Sequence, residues 1–253
     1  MKAKKVLFIT QEITPYVPES AMSTDGRCIP QKVQESGREI RTFMPRWGNI
    51  NERRNQLHEV IRLSGMNIII DDSDHHLIIK VASIQPARMQ VYFIDNDDYF
   101  HKRLMKVDED GKEYEDNIER AVFYARGVLE TVKKLRWTPE IVNCQGWMSA
   151  IVPLYIKTAY REDPPFAEAR VIFNDYNDNP QDCIGERFAE AIAFRGASID
   201  ILKSMGIDMA DPLALRKIAI ALSDGYVQCE ANMNPELLDF ARSKNIPVLE
   251  YAG

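Results

Sequence analysis

Short apolar runs punctuate this chain from end to end, and their spacing constrains the fold more than any single residue does. They fall at positions 6–10 (Val-Leu-Phe-Ile-Thr), 40–44, 66–70, 77–81, 89–94, 141–143, 171–173, 225–227 and 247–249. Runs of this length bounded by turn residues read as buried strands, and helical patterns between them imply parallel winding. The clearest helix spans Asp116 to Lys134, where Ile118, Val122, Ala125, Leu129 and Val132 keep a helical rhythm behind Asp116 as the expected cap. A helix ending at Ser36-Gly37 is expected after the first loop, with others over 146–160, 186–195, 199–204 and 212–222. The runs between 66 and 94 follow one another without helices. They predict an antiparallel excursion around Asp71-Asp72-Ser73-Asp74-His75-His76. The expected fold class is therefore α/β, a Rossmann-like, doubly wound, mostly parallel sheet flanked by helices. With no repeat, low-complexity linker or break in composition, residues 1–253 are expected to form one domain.

Composition narrows the function classes. At 253 residues and 45% apolar, the chain can bury a sizeable core. A net charge of −6 argues against a broad basic face for nucleic acid. Cys28, Cys144, Cys183 and Cys229 form no CxxC pair, which fits a reducing compartment better than a disulfide framework or zinc site. The first apolar run stops at Thr10-Gln11-Glu12, too short for a signal peptide, and no run approaches a membrane span. A cytoplasmic protein that touches neither membrane nor nucleic acid is the expectation.

Five stretches together are specific: KKVLFITQEITPY, GREIRTFMPRWGNI, VYFIDNDDYF, the run from DNIERAVFYARG through WTPEIVNCQGWMSAIVPLYIKTAYR, and VIFNDYN. In order and spacing they resemble the N-terminal domain of bacterial glycogen and starch synthases. These are glycosyltransferase family 5 enzymes with a two-domain GT-B fold that transfer glucose from ADP-glucose. The resemblance runs to about Tyr226 and thins after Asn177. The chain reaches Tyr251-Ala252-Gly253 about where the family's second, nucleotide-sugar domain would begin, so the expectation is the acceptor-side domain alone.

The resemblance also implies where ligand chemistry would sit, and there this chain departs from it. The family's first loop carries a K-[TS]-G-G-[LM] motif, in which lysine charge and bare glycine backbone meet the donor diphosphate. Aligned without a gap, the lysine falls on Pro18, the glycines on Ser20 and Ala21, and the leucine on Met22. Proline offers neither charge nor an N–H donor. Hydroxyls of Ser20, Ser23 and Thr24 remain as weak anion ligands. In NCQGWMS, which resembles the family's H-x-H-D-W-H-[TS] segment, only Trp147 and Ser149 match. Methionine at 148 replaces the histidine that the family places near the transferred sugar, and packing at a helix start is the simpler reading of Trp147 and Met148. In VIFNDYND, Tyr176 takes a histidine position and Asn177 keeps the asparagine. The group Asn174, Asp175, Asn177 and Asp178 reads either as a new metal or sugar site or as an Asx-rich turn. Glu12 keeps the family's acid in the frame Q-E-x-x-P, as a ligand group or a structural carboxylate.

His75 and His76, beside three aspartates, resemble a metal cluster, but adjacent strand residues face opposite ways. No catalytic triad, Walker loop or GxGxxG is present. No catalytic residue, cofactor or metal is assigned. Three functions are compatible: a synthase-like domain without autonomous transfer that still receives glucan or ADP-glucose in a cleft lined by Glu12, Trp147, Tyr176 and Asn177; a transferase completed by a partner; and a scaffolding module. A homodimer or protein partner is expected on surface that a second domain would cover, with the helices from Pro212 onward contributing.

Overall fold

The computed structural model describes residues 5–181 and 184–252, so the expectation for Cys183 falls outside the described residues. In chain order the elements are β1 (Lys5–Thr10), α1 (Ala21–Glu35), β2 (Glu39–Pro45), β3 (His58–Glu59), β4 (Met66–Ile70), β5 (Ser73–Ile84), β6 (Met89–Asp95) and α2 (Asn117–Lys134). There follow β7 (Ile141–Gln145), a 3-10 turn (Trp147–Ser149), α3 (Val152–Lys157), β8 (Arg170–Asp175), α4 (Phe188–Ile192) and α5 (Ile199–Ser204). The chain closes with α6 (Ala214–Ala221), β9 (Gly225–Gln228), α7 (Pro235–Ser243) and β10 (Val248–Leu249).

The strands form one sheet in the order β10-β9-β8-β7-β1-β2-β6-β5-β3, with β4 also on β5. From β10 to β6 every pairing is parallel, and β5 then turns antiparallel against β6, β4 and β3. The excursion is thus where the helix-free runs predicted it, though β5 is longer than expected because it serves partners on both sides. β1 lies at the centre, reached from β2 on one side and β7 on the other. That reversal is the topological switch point of a doubly wound sheet, where ligand crevices form at the carboxyl ends of the strands.

Helices α4, α2, α3, α6 and α7 contact one another in a row over one face. The right-handed crossover rule puts α1, which packs on β1 and β2, on the other face. In α2 the row contributes Ala121, Val122, Phe123, Tyr124 and Ala125, all fully buried. The Tyr124 hydroxyl donates to the carbonyls of Thr10 (2.7 Å) and Phe43 (2.9 Å) and so ties the helix to β1 and β2.

Three expectations change. Asp116 does not cap α2 through its side chain, which holds the Arg103 guanidinium in a two-point ion pair (2.5 and 2.7 Å). The helix expected over 146–160 is broken: Gly146 sits at φ +77°, a 3-10 turn follows, and α3 starts afresh around Pro153. Helix α6 buries Ala214, Leu215, Arg216, Ile218, Ala219 and Ile220, so it belongs to the interior and offers little to a partner.

Candidate functional site

The residues expected to carry ligand chemistry all collect at the carboxyl ends of β1, β7 and β8. The chain leaves β1 through Gln11 and Glu12 and enters α1 at Ser20, which caps it. The Ser20 hydroxyl accepts from the Ser23 N–H (2.9 Å), and the Ser23 hydroxyl accepts from the Ser20 N–H (2.8 Å), a reciprocal capping box. The Ser20 hydroxyl in turn donates to the Glu12 carboxylate (2.5 Å). The Ser20 and Ser23 N–H groups at this helix end are therefore satisfied from within, and a carboxylate stands beside them. Pro18 and Ala21 are exposed, and Met22 is buried against the Gly146 turn. Glycine is needed at 26, where a Cβ would collide with the Glu12 carbonyl, so α1 packs tightly under this loop.

Gln11 stands at the centre of the crevice. Its Oε1 accepts from the Met148 N–H (3.1 Å), its Nε2 donates to Asp178 Oδ2 (2.6 Å), and its carbonyl accepts from the Trp47 indole (2.8 Å). Gly146 makes room for it. A Cβ there would lie 2.5 Å from Gln11 Oε1 and 2.7 Å from the Met22 methyl, and the backbone is left-handed besides. The amide thus stitches the loops after β1, β7 and β8 together where a ligand would lie in a doubly wound protein.

Asp178 is the unusual acid of the site. Burial pushes its pKa up to about 7, and the charges of Glu12 and Asp175 add to the rise; Gln11 and Lys106 oppose it. One of its oxygens, Oδ1, is buried without a partner, and so are both polar atoms of the Gln145 amide at the end of β7. Lys106 reaches the Asp178 carbonyl from the loop before α2 (3.2 Å). Beside it lies an open groove of about 530 Å³ lined by Lys106, Lys112, Glu113, Tyr114 and Gln181 among others. Its charged groups are engaged: Lys112 pairs with Glu115 (2.9 Å), and Glu113 accepts from the Gln181 N–H (2.9 Å).

The other expected site residues lie inside the protein. Trp147 and Tyr176 are each 1% exposed, so neither ring offers a face to solvent. The Tyr176 hydroxyl donates to Asp25 on α1 (2.9 Å), and the Ser149 hydroxyl to the Gly146 carbonyl (2.9 Å). Asn177 is exposed, and Glu12 is half-buried. The four residues weighed as one metal or sugar cluster part company. Asn174 donates to the Cys144 carbonyl (3.0 Å), Asp175 is buried against Arg216 and Tyr226, Asn177 faces solvent, and Asp178 turns to Gln11. Among the described residues no group of three or more His, Cys, Asp or Glu is placed to hold a metal ion. His75 and His76 go opposite ways as expected, His75 to Asp98 and Tyr99 and His76 to Asn67.

A β-sheet of this order, with its crevice at the β1/β7 switch point, is the architecture of one half of a GT-B glycosyltransferase. Comparison with known proteins gives the family. A family model described as the starch synthase catalytic domain matches residues 5–246, and the chain belongs to that family. It is 34% identical over 174 residues to a glycogen synthase of Chlorobium limicola, covering 68% of this chain and 36% of that protein. A glycogen synthase of Chlorobaculum tepidum is 31% identical over 217 residues, covering 82% and 44%. The chain thus spans less than half the length of these relatives. Among solved structures, the catalytic domain of starch synthase IV from Arabidopsis thaliana, bound to ADP and acarbose, superposes over all of this chain and 52% of its own length. Its TM-score is 0.70 at 13% identity, a likeness of fold. No helix among the described residues is long and apolar enough to cross a membrane.

Proposed function

We propose that this chain is a glycogen/starch synthase-type domain that carries out no glucosyl transfer on its own and serves in binding or assembly. The observation that carries this reading is the state of the α1 N-terminus. A departing diphosphate is stabilised by preorganised donors aimed at it. In this chain the Ser20 and Ser23 N–H groups are taken up by a reciprocal capping box, the lysine position is a proline, and the Glu12 carboxylate stands beside the helix end. A diphosphate brought there would meet like charge instead of lysine and open N–H groups.

Acceptor binding is weakened on separate grounds. Aromatic faces and free polar groups hold sugars, and Trp147, Tyr176 and Ser149 are buried with their polar groups engaged or shielded. Glu12 and Asn177 alone of the expected cleft residues retain access to solvent. This favours assembly over retained glucan binding. Titration calorimetry with ADP-glucose and with maltooligosaccharides, alongside a glucosyl-transfer assay, tests it. No heat at millimolar ADP-glucose and no chain extension are expected. Micromolar ADP-glucose binding, or transfer by the purified chain, would overturn it.

A further inference from the structure

A second cavity differs sharply in charge from the groove at Lys106. It measures about 250 Å³ and is walled by four segments: Pro15 and Tyr16 after β1, Arg27 on α1, residues 54–56 before β3, and residues 83–85 at the end of β5. Two arginines, Arg27 and Arg54, line it, and none of its lining residues is Asp or Glu. The chain carries 38 acids against 32 lysines and arginines, so a cavity with two cations and no counter-charge runs against the composition. Neither guanidinium has a hydrogen-bond or ion-pair partner among the described residues. The wall is nevertheless fixed. The Arg54 N–H donates to Asn51 Oδ1 (2.9 Å), and the Asn55 side chain donates to the Asn51 carbonyl (2.8 Å). Arg27 follows Gly26, whose close approach to the Glu12 carbonyl seats α1 on the loop. Tyr16 is only 8% exposed, its ring edge-on to Phe93 of β6 with centroids 4.9 Å apart. Its hydroxyl has no hydrogen-bond partner among the described residues, yet it is not one of the polar atoms sealed from solvent, so it opens on the cavity. Burial pushes the Tyr16 pKa up to about 12, against the opposing charge of Arg27, and the phenol stays a neutral donor. Three donors on three segments thus converge where nothing accepts from them.

We propose that this cavity binds a phosphate group, either inorganic phosphate or the phosphate ester of a small polyol, held between Arg27 and Arg54 with Tyr16 donating to it. A guanidinium presents a planar fork that grips two oxygens of an anion at once. One fork satisfies a carboxylate, whose two oxygens lie in one plane. Two forks from separate segments and a hydroxyl from a third suit a tetrahedral anion, whose oxygens point several ways. Size sets the rest of the ligand. Pockets for drug-sized molecules begin at about 300 Å³, so this cavity suits a smaller one, a phosphate with room for a short carbon chain. Beyond the cations, Pro15 and Ile84 offer apolar wall for that chain, and Ser83 and Gln85 offer polar groups for its hydroxyls. This inference goes beyond the proposed function and does not rest on it. None of the cavity's lining residues belongs to the capping box or to the crevice at Gln11 and Asp178.

Titration calorimetry of the full chain with inorganic phosphate and with glycerol phosphate, at ionic strength held constant with chloride, tests it. One saturable site is expected, with a Kd in the millimolar range or below. Saturation by both ligands, or by inorganic phosphate alone, assigns the bare anion, and saturation by glycerol phosphate alone assigns the ester. Arg27→Gln and Arg54→Gln should each weaken binding at least about tenfold, as the loss of a charge-assisted hydrogen bond does. Arg54 is exposed, so its variant keeps the fold, which circular dichroism checks. Tyr16→Phe removes one oxygen and no charge, and should weaken binding several-fold. Malonate, an anion with carboxylates in place of phosphate, should bind at least about tenfold more weakly than glycerol phosphate. No saturation by either phosphate ligand overturns the proposal. Saturation that Arg54→Gln and Tyr16→Phe leave unchanged places the anion elsewhere on the chain and overturns it too, and malonate binding as tightly as phosphate overturns the assignment of the ligand.

Discussion

Gln11 and Asp178 hold the crevice closed through one short hydrogen bond, and that bond responds to pH. The Asp178 carboxyl has a folded-state pKa raised to about 7 by burial and by Glu12 and Asp175, against an unfolded value near 4. Between those values the native state holds a proton that the unfolded state has released. Its contribution to stability is therefore fully present below about pH 4 and is lost as pH rises to about 7. Across that window the wild-type chain should lose stability at up to about 1.4 kcal/mol per pH unit from this group. Asp178→Asn should flatten the slope in denaturant unfolding measured from pH 4 to 8. If the variant keeps the wild-type slope, the buried acid does not titrate as described. Gly146 answers to a different constraint. Gly146→Ala places a methyl into Gln11 and Met22 at φ +77°, at a cost of about 1–3 kcal/mol. In a chain of this size that lowers the melting temperature by roughly 2–4 °C for each kcal/mol.

At the scale of elements, α1 and α6 show what sequence could and could not reveal. The winding pattern foretold β1, β2, β4, the middle of β5 and the strands from β6 to β10, because apolar runs between turn residues report burial. It missed β3, a two-residue pairing on an exposed edge, and α7, whose buried residues Leu237 and Ala241 are too sparse to declare a period. Within the site, the loss of the lysine and glycines was legible because those roles depend on residue type. The burial of Tyr176 was not, since an aromatic ring suits a core as well as a sugar; Trp147 and Met148 pack inside, as the simpler reading of that segment had it. Gln11 escaped notice because a glutamine after a strand carries no signal until its partners are known. The Asx-rich turn gave no hint that Asp175 would be taken by α6. Arg216 meets it with three contacts of 2.8 to 3.0 Å, and Tyr226 adds a fourth at 2.9 Å. Burial raises the Asp175 pKa, while Arg216 and Tyr226 oppose the rise. Asp175→Ala leaves the buried Arg216 uncompensated and should cost about 3–5 kcal/mol in chemical denaturation. In the loop after β1, Ser20→Ala removes the α1 cap and should cost about 1 kcal/mol. Ser20→Ala should also leave Glu12 without its hydroxyl donor and still give no ADP-glucose heat in calorimetry.

For the molecule as a whole, the central place of β1 governs how the chain can assemble. Phe8 faces Thr42 on one side and Asn143 on the other. β1 therefore gains its second neighbour only after β7 has been made, with the entire antiparallel excursion and α2 in between. At roughly 5–20 residues per second of synthesis, Val6, Leu7, Phe8 and Ile9 stay unpaired along that edge for on the order of ten seconds. During that interval the emerging chain presents an apolar parallel edge to solvent or to a chaperone. Pairings between such distant segments form slowly, so refolding from denaturant should have a main phase in the range of milliseconds to seconds. A fragment ending before Ile141 should bind a dye for exposed apolar surface instead of folding. A switch point at the middle of the sheet thus makes the N-terminal strand the keystone of the finished structure and the part longest at risk while it forms.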